Sequence, residues 1–341
     1  MKYSDAVRVI KDLVSLPEPI IPFITGPPGV GKTALIRQAF NELKWDLLIC
    51  HPAVDESVDY KGLPGFDNDS KGKKQAAWFP YGNLRQMIEA KRPLAVFFDD
   101  LGQSHRMVMA AIMQLVHGGA INGVPISKHV RFVMASNRAG DKAGADSGVI
   151  EPLKDRSCIM GVDVDEDEFI KWGLTDIEDG GGGLPPAQCA FHRFKPNLLH
   201  QFAPSRDLVN SASPRGWERV GRCLNAGLKD PEVHIGNVGE GPASELLAFL
   251  RTFEKLPKID KILMDPKESN VPKEPDVRYA LCGALAHRAK KDNLESILIY
   301  VDRLPAEFGV TCVKDAITRD AKLCDTRAFQ KWAVDKQDLV L

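Results

Sequence analysis

No uninterrupted apolar run in the sequence approaches the roughly 18 residues that cross a bilayer, so no membrane span is expected. The opening residues Met1-Lys2-Tyr3-Ser4-Asp5 are polar and lead into a helix-like repeat at Ala6, Val7, Ile10, Leu13, Val14 and Leu16. The apolar core of a secretory leader is missing there, and a cytoplasmic location is expected. Neither charge is in excess: 45 Lys and Arg face 46 Asp and Glu. That balance argues against the broad positive field of non-specific nucleic-acid binding and leaves only a local basic face open. Cysteine is sparse and scattered. Its seven positions (Cys50, Cys158, Cys189, Cys223, Cys282, Cys312, Cys324) show no metal-knuckle or redox spacing, so reduced and mostly buried thiols are expected.

What is present is concentrated near the start. The apolar run Ile20-Ile21-Pro22-Phe23-Ile24 leads into Gly26-Pro27-Pro28-Gly29-Val30-Gly31-Lys32-Thr33, and an amphipathic stretch from Ala34 to Phe40 follows. This is a complete phosphate-binding loop between a predicted strand and a predicted helix. Its glycines let successive N–H groups turn toward a polyphosphate, Lys32 can reach the β and γ oxygens, and the Thr33 hydroxyl can hold Mg²⁺. The chain therefore reads as a nucleotide-binding protein. The loop alone does not separate a kinase from a switch or a motor.

At 341 residues two or three compact units are expected. Trp45 to Cys50, Leu94 to Phe98, Val130 to Ser136 and Cys158 to Val162 read as further strands, with helix-like runs at Leu84 to Ala90 and Met107 to Val116. Strands alternating with helices predict an open parallel α/β sheet covered by helices, with the nucleotide at the carboxyl ends of the strands. The polar stretch from His51 to Lys74 reads as a long working loop. Beyond the last of these strands the composition shifts to mainly helical segments, with Gly180-Gly181-Gly182-Gly183-Leu184-Pro185-Pro186 as a flexible insertion. The expected division is a nucleotide-binding core at 1–162, a helical lid-like domain at 163–235 and a C-terminal helical extension at 236–341. Trp332, in the extension, is expected to pack rather than dock a partner.

Partners of the loop narrow the chemistry. Asp99, at the end of an apolar strand, is placed to support Mg²⁺. Asp100, next to it, is the candidate to orient or deprotonate an attacking water. Asn137, after Met134-Ala135-Ser136, can hydrogen-bond a γ-phosphate or that water without adding charge. Arg156 and Arg215 are candidates to stabilise charge on the transferring phosphoryl group, one of them from another subunit. Ser213-Pro214 before Arg215 marks a helix start.

In order, Gly26 to Thr33, Leu94 to Asp100, Ser136-Asn137, Asp155-Arg156 and Ser213-Pro214-Arg215 resemble the motif series of AAA+ ATPases, closest to the MoxR type, over about residues 5 to 225. The resemblance implies a P-loop NTPase core with an α-helical lid, Mg-ATP at subunit interfaces, and a homo-oligomeric ring, usually hexameric, that remodels a protein partner. It implies Asn137 as a polar sensor, Arg156 as the finger reaching a neighbour's ATP, and Arg215 as a lid arginine. A partner carrying a von Willebrand A domain is implied by family alone. Tyr60 and Ile121, in an Asp-x-x-Gly region and a hairpin at Gly118 to Lys128, are candidates for substrate contact at a pore. One departure stands out: the family has Glu where this chain has Asp100, shorter by one methylene. Three other functions stay open: a small-molecule or nucleoside kinase, an ATP-gated scaffold with slow hydrolysis, and a nucleic-acid-directed ATPase using Lys71-Gly72-Lys73-Lys74.

Overall fold

Leu94–Phe98 is buried at every position in the computed structural model, as a strand covered on both faces must be. Residues 1–68, 71–141, 148–203, 205 and 207–336 are described. The chain divides into two units, Met1–Asp163 and Val164–Leu341.

The first unit runs α1 (Tyr3–Ser15), β1 (Ile21–Thr25), α2 (Lys32–Leu43), β2 (Asp46–Cys50), α3 (Ser57–Lys61), β3 (Leu63–Asn68), β4 (Lys74–Phe79), α4 (Gly82–Glu89), β5 (Leu94–Phe98), α5 (Arg106–Gly118), β6 (Ala120–Ile121), β7 (Val124–Pro125), β8 (Val130–Ser136), α6 (Glu151–Asp155) and β9 (Ser157–Gly161). Five of these strands form one sheet in the order β2, β5, β8, β1, β9, with every pairing parallel. The expected open parallel sheet with helices around it is present. Within that order β8 is inserted between β1 and β5, and Met134 pairs with Phe23 on one side and Phe98 on the other. Whatever leaves the carboxyl end of β8 therefore falls between what β1 and β5 carry.

Phe23, Val96, Phe98, Met109, Ile112 and Met134 share one apolar cluster. Burying each such side chain is worth about 1.5–3 kcal/mol. The Phe98 ring stacks on Phe132 and meets Tyr60 edge-on, both with centroids 5.8 Å apart. Tyr60 and Ile121 are each only 1 % exposed. They are core residues, so the expectation that they contact a substrate is corrected: apolar burial, not a pore, accounts for them.

The stretch read as a long loop is also corrected. Glu56 and Asp59 form a reciprocal capping box that starts α3, and β3 pairs antiparallel with β4 as a separate hairpin. A second hairpin, β6 with β7, turns through Asn122 and Gly123 at positive φ (48° and 82°), where the sequence predicts one.

The second unit is helical: α7 (Glu166–Leu174), α8 (Pro186–Phe194), α9 (Pro214–Asn225), α10 (Pro231–Val238), α11 (Glu240–Glu254), α12 (Ile259–Met264), α13 (Pro275–Arg288), α14 (Leu294–Val301), α15 (Ala306–Arg319) and α16 (Arg327–Asp335). One cluster gathers Phe191, Trp217 and Phe249, another Leu285, Tyr300, Phe308 and Trp332, and α13 contributes to both. Trp332 is buried and donates its indole N–H to Asp302 at 3.0 Å, so it packs. The glycine run expected to be flexible instead wraps the end of α7. Gly182 N–H reaches Trp172 O at 2.7 Å and Leu184 N–H reaches Gly173 O at 2.7 Å. A Cβ at Gly181 would lie 2.1 Å from Thr175 O, so close approach requires glycine there. All seven thiols are free, and burial pushes Cys50 and Cys189 up to about 12. No described helix is long and apolar enough to cross a membrane.

Candidate functional site

The loop from Gly26 to Gly31 leaves the carboxyl end of β1 and opens α2 at Lys32. Gly31 adopts φ 98°, a conformation that side chains resist, and a Cβ on Gly26 would strike Val162 O at 2.4 Å. The two glycines thus set the path of the loop. Its N–H groups then lead into the amino end of a 12-residue helix, where the peptide dipoles favour an anion.

Lys32 is only 7 % exposed. Its ammonium donates to Gly26 O at 2.9 Å, Pro27 O at 3.1 Å and Asn137 Oδ1 at 2.7 Å. A buried cation requires such acceptors, and all three are neutral. A phosphate oxygen in their place would form a stronger, charge-assisted bond. Beside it, the Thr33 hydroxyl donates to Asp99 Oδ2 at 2.7 Å. Asp99, 7 % exposed, is held at the end of β5 by its N–H on Cys50 O at 3.0 Å. The strand order explains this convergence: the loop follows β1, Asn137 follows β8, and Asp99 follows β5. Lys32, Thr33, Asp99 and Asn137 meet at the carboxyl ends of three adjacent strands.

Asp100 is half-buried, and its N–H donates to Asp99 Oδ1 at 3.0 Å. Its φ of 50° is left-handed, which costs a non-glycine residue of order 1 kcal/mol, least for Asn and Asp. The turn after it is tied to β8, because Gly102 N–H donates to Ser136 Oγ at 3.2 Å. Asp100 and Asn137 are thereby anchored by neighbouring positions of one hydrogen-bonded frame.

The two arginines are carried by other elements. Arg156 ends α6, donating through Nε to His117 Nδ1 at 3.0 Å and through Nη1 to Pro152 O at 2.8 Å; these bonds do not lead to the loop. Arg215 is exposed in the first turn of α9, in the second unit, where Ser213 Oγ accepts from Gly216 N–H at 3.2 Å. Sequence reasoning passed over Arg138. Its side chain donates to Asp141 Oδ2 at 3.2 Å and to Asp163 Oδ1 at 2.8 Å, joining the segment after β8 to the segment after β9. β1 lies between those strands, so Arg138 bridges across the strand that feeds the loop. An arginine directly after Ser136-Asn137 was the available signal.

Thr33 and Asp99 offer hard oxygen donors, and two protein groups suffice for Mg²⁺ when phosphates and waters complete its shell. Among the described residues no group of three or more His, Cys, Asp or Glu could hold a metal by itself. The donor set fits a phosphate-bound Mg²⁺.

No protein-family model matches the chain, and no curated protein matches its sequence. Among solved structures it is similar to the RuvB Holliday junction branch migration motor of Thermotoga maritima, at 11 % identity and a TM-score of 0.34, covering 98 % of this chain and 86 % of that one. It is also similar to NtrX from Brucella abortus, at 12 % identity and a TM-score of 0.37, covering 98 % of this chain and 67 % of that one. Scores this low do not carry function across, so the functional reading rests on the geometry of the site itself.

Proposed function

We infer that the protein is a Mg-ATP-hydrolysing enzyme of the AAA+ type, MoxR-like in its motif order, that assembles into a ring and remodels a protein partner. One observation carries the nucleotide part of this reading: Lys32 and Asn137 meet at 2.7 Å while Thr33 and Asp99 meet at 2.7 Å beside them. These are the four groups that a β,γ-phosphate pair with its cation requires.

When bound, Mg²⁺ would supply charge neutralisation to the phosphates, and Thr33 and Asp99 would hold it. The loop N–H groups and the amino end of α2 receive the phosphates, and Lys32 exchanges its neutral acceptors for phosphate oxygens. Asn137, released from Lys32, is then free to hydrogen-bond the γ-phosphate or the attacking water, and Asp100 takes that water's proton. In this reading Arg156 completes a neighbouring subunit's site, and Arg215 senses the γ-phosphate from the second unit. The motif order supports these two roles, and the exposure of Arg215 suits it.

Sizing the protein with and without ATP tests the ring: a monomer under every nucleotide condition would sink it. Mixing Arg156→Ala with Lys32→Ala subunits tests the finger. Each variant alone should be inactive, and the mixture should recover part of the activity, because some interfaces pair an intact loop with an intact arginine. No recovery would remove the trans assignment.

A second reading, an ATP-gated scaffold with slow turnover, is favoured by one feature. Asp100 carries the shorter carboxylate on a left-handed backbone, and a misplacement of about 1 Å can cost on the order of a hundredfold in rate.

A further inference from the structure

β3 and β4 stand apart from the main sheet as a two-stranded hairpin whose two faces differ. Pairing sets Pro64 opposite Trp78, Phe66 opposite Ala76 and Asn68 opposite Lys74; alternate residues share a face, so Trp78, Phe66 and Lys74 line one side. Folding leaves Phe66 80 % and Trp78 44 % exposed. On the other side Phe79 lies over Gly65, close enough that a Cβ there would be 2.7 Å from its ring, and Asp67 faces Gln75. That face carries an acid and no lysine, and Leu63 and Phe79 on it are 48 % and 45 % exposed. The other presents two rings followed by a lysine, with exposed Lys71 and Lys73 just beyond in the turn.

The hairpin is also firmly mounted. At its base Tyr60 OH donates to Asp55 at 2.5 Å, Tyr81 OH donates to Asp59 at 2.5 Å, and Asn122 Nδ2 donates to Lys61 O at 2.8 Å. These bonds tie down the segments from which the hairpin leaves.

We propose that this face binds single-stranded nucleic acid, with bases stacking on Trp78 and Phe66 and phosphates meeting Lys71, Lys73 and Lys74. Rungs on one face of a strand repeat about every 7 Å, which gives each ring room for its own base. Every base offers a π-face, so two rings without shaped pockets suit a polymer of any sequence. The lysine cluster complements the phosphates of such a polymer, which would compete with the partners Lys71 and Lys73 already have inside the protein. A second copy of this chain fits less well: strands of six residues are short of the about 800 Å² per partner of a stable interface. The overall charge of −1 predicts a local, salt-sensitive contact rather than general adhesion.

The full-length protein is titrated into a fluorescently labelled oligothymidylate of about 20 nucleotides, without nucleotide present, and anisotropy is followed across a salt series. Binding is expected, with about tenfold loss for each of Phe66→Ala and Trp78→Ala. Changing Lys73 and Lys74 to Glu should flatten the dependence of log K on log salt by about 0.7 for each phosphate contact removed. Basal phosphate release by Phe66→Ala, whose side chain is in solvent, should match wild type and report an intact fold. Absence of binding, or binding indifferent to the aromatic variants, overturns the proposal. So does binding of denatured casein, in place of the oligonucleotide, that Phe66→Ala and Trp78→Ala abolish, which would assign the face to unfolded polypeptide. If instead the oligomeric state changes in those variants and no oligonucleotide binds, the face is an interface between copies.

Discussion

Lys32 Nζ donates to Asn137 Oδ1 at 2.7 Å, although the two residues are 105 apart in sequence. In the proposed site a γ-phosphate oxygen would take the place of this bond. Lys32→Ala should abolish ATP binding. Asn137→Ala should leave binding within a few-fold, since the loop is intact, while lowering phosphate release by on the order of a hundredfold, as loss of one aligned donor does. Asn137→Asp should be worse than Ala, because it sets a carboxylate beside the phosphates. Binding by fluorescent-nucleotide titration and phosphate release measured on the same preparations check the split. Equal rates for wild type and Asn137→Ala would remove Asn137 from the site.

Thr33 and Asp99 form the second pair, joined at 2.7 Å. If both serve the cation, Asp99→Asn and Thr33→Val should raise the Mg²⁺ concentration for half-maximal phosphate release, and the double variant should cost less than the product of the single effects because the pair acts as a unit. A Mg²⁺ titration of the variants reads this directly. Unchanged half-maximal concentrations would confine both residues to structure.

Asp100 combines a chemical expectation with a backbone one. Its left-handed φ of 50° suits Asp or Asn, so Asp100→Asn keeps the turn while removing the base. That variant should fold as wild type does and release phosphate on the order of a hundredfold more slowly. Asp100→Glu restores the missing methylene and tests whether reach limits the rate. A wild-type rate no higher than that of Asp100→Asn would favour the gated scaffold.

The legible parts of the chain were those whose signal is local and periodic. Val130–Ser136 is a strand over the range its apolar run indicates, and α9 starts behind Ser213-Pro214 as its capping residues require. The illegible parts obey other physics. β3 and β4 are exposed on most positions, so they show no alternation, and α3 is a five-residue helix held by its capping box. The glycines after α7 looked flexible because glycine marks both mobile and close-packed backbone, and only the neighbours decide between them. The loop, Asp99 and Asn137 could be named from sequence. Their meeting depends on β8 entering between β1 and β5, a non-local pairing that no window of residues reveals.

His192 supplies a pH dependence in the second unit. It is fully buried on α8 between Phe169, Phe191 and Trp217, with Trp217 edge-on at 4.7 Å, and among the described residues neither ring nitrogen has a hydrogen-bond partner. Burial pushes its pKa down to about 3. Between that value and the ordinary one near 6.5 the unfolded chain holds a proton that the folded chain does not, so stability falls as pH falls. The slope approaches about 1.4 kcal/mol per pH unit well below that ordinary value. His234 and His287, also lowered by burial, add to it. Asp315, raised by burial between α8 and α15, works in the opposite sense, but wild type and variant share it. His192→Phe retains an aromatic ring and removes the titrating group. Denaturant unfolding of both proteins from about pH 7.5 to 5, above the range where Asp167 loses its charge, should show the wild type losing stability relative to the variant by about 1–2 kcal/mol. The difference in slope is the readout, so any packing cost of phenylalanine cancels. Parallel curves would mean that the folded protein accommodates the proton, and that the ring nitrogens find partners on protonation.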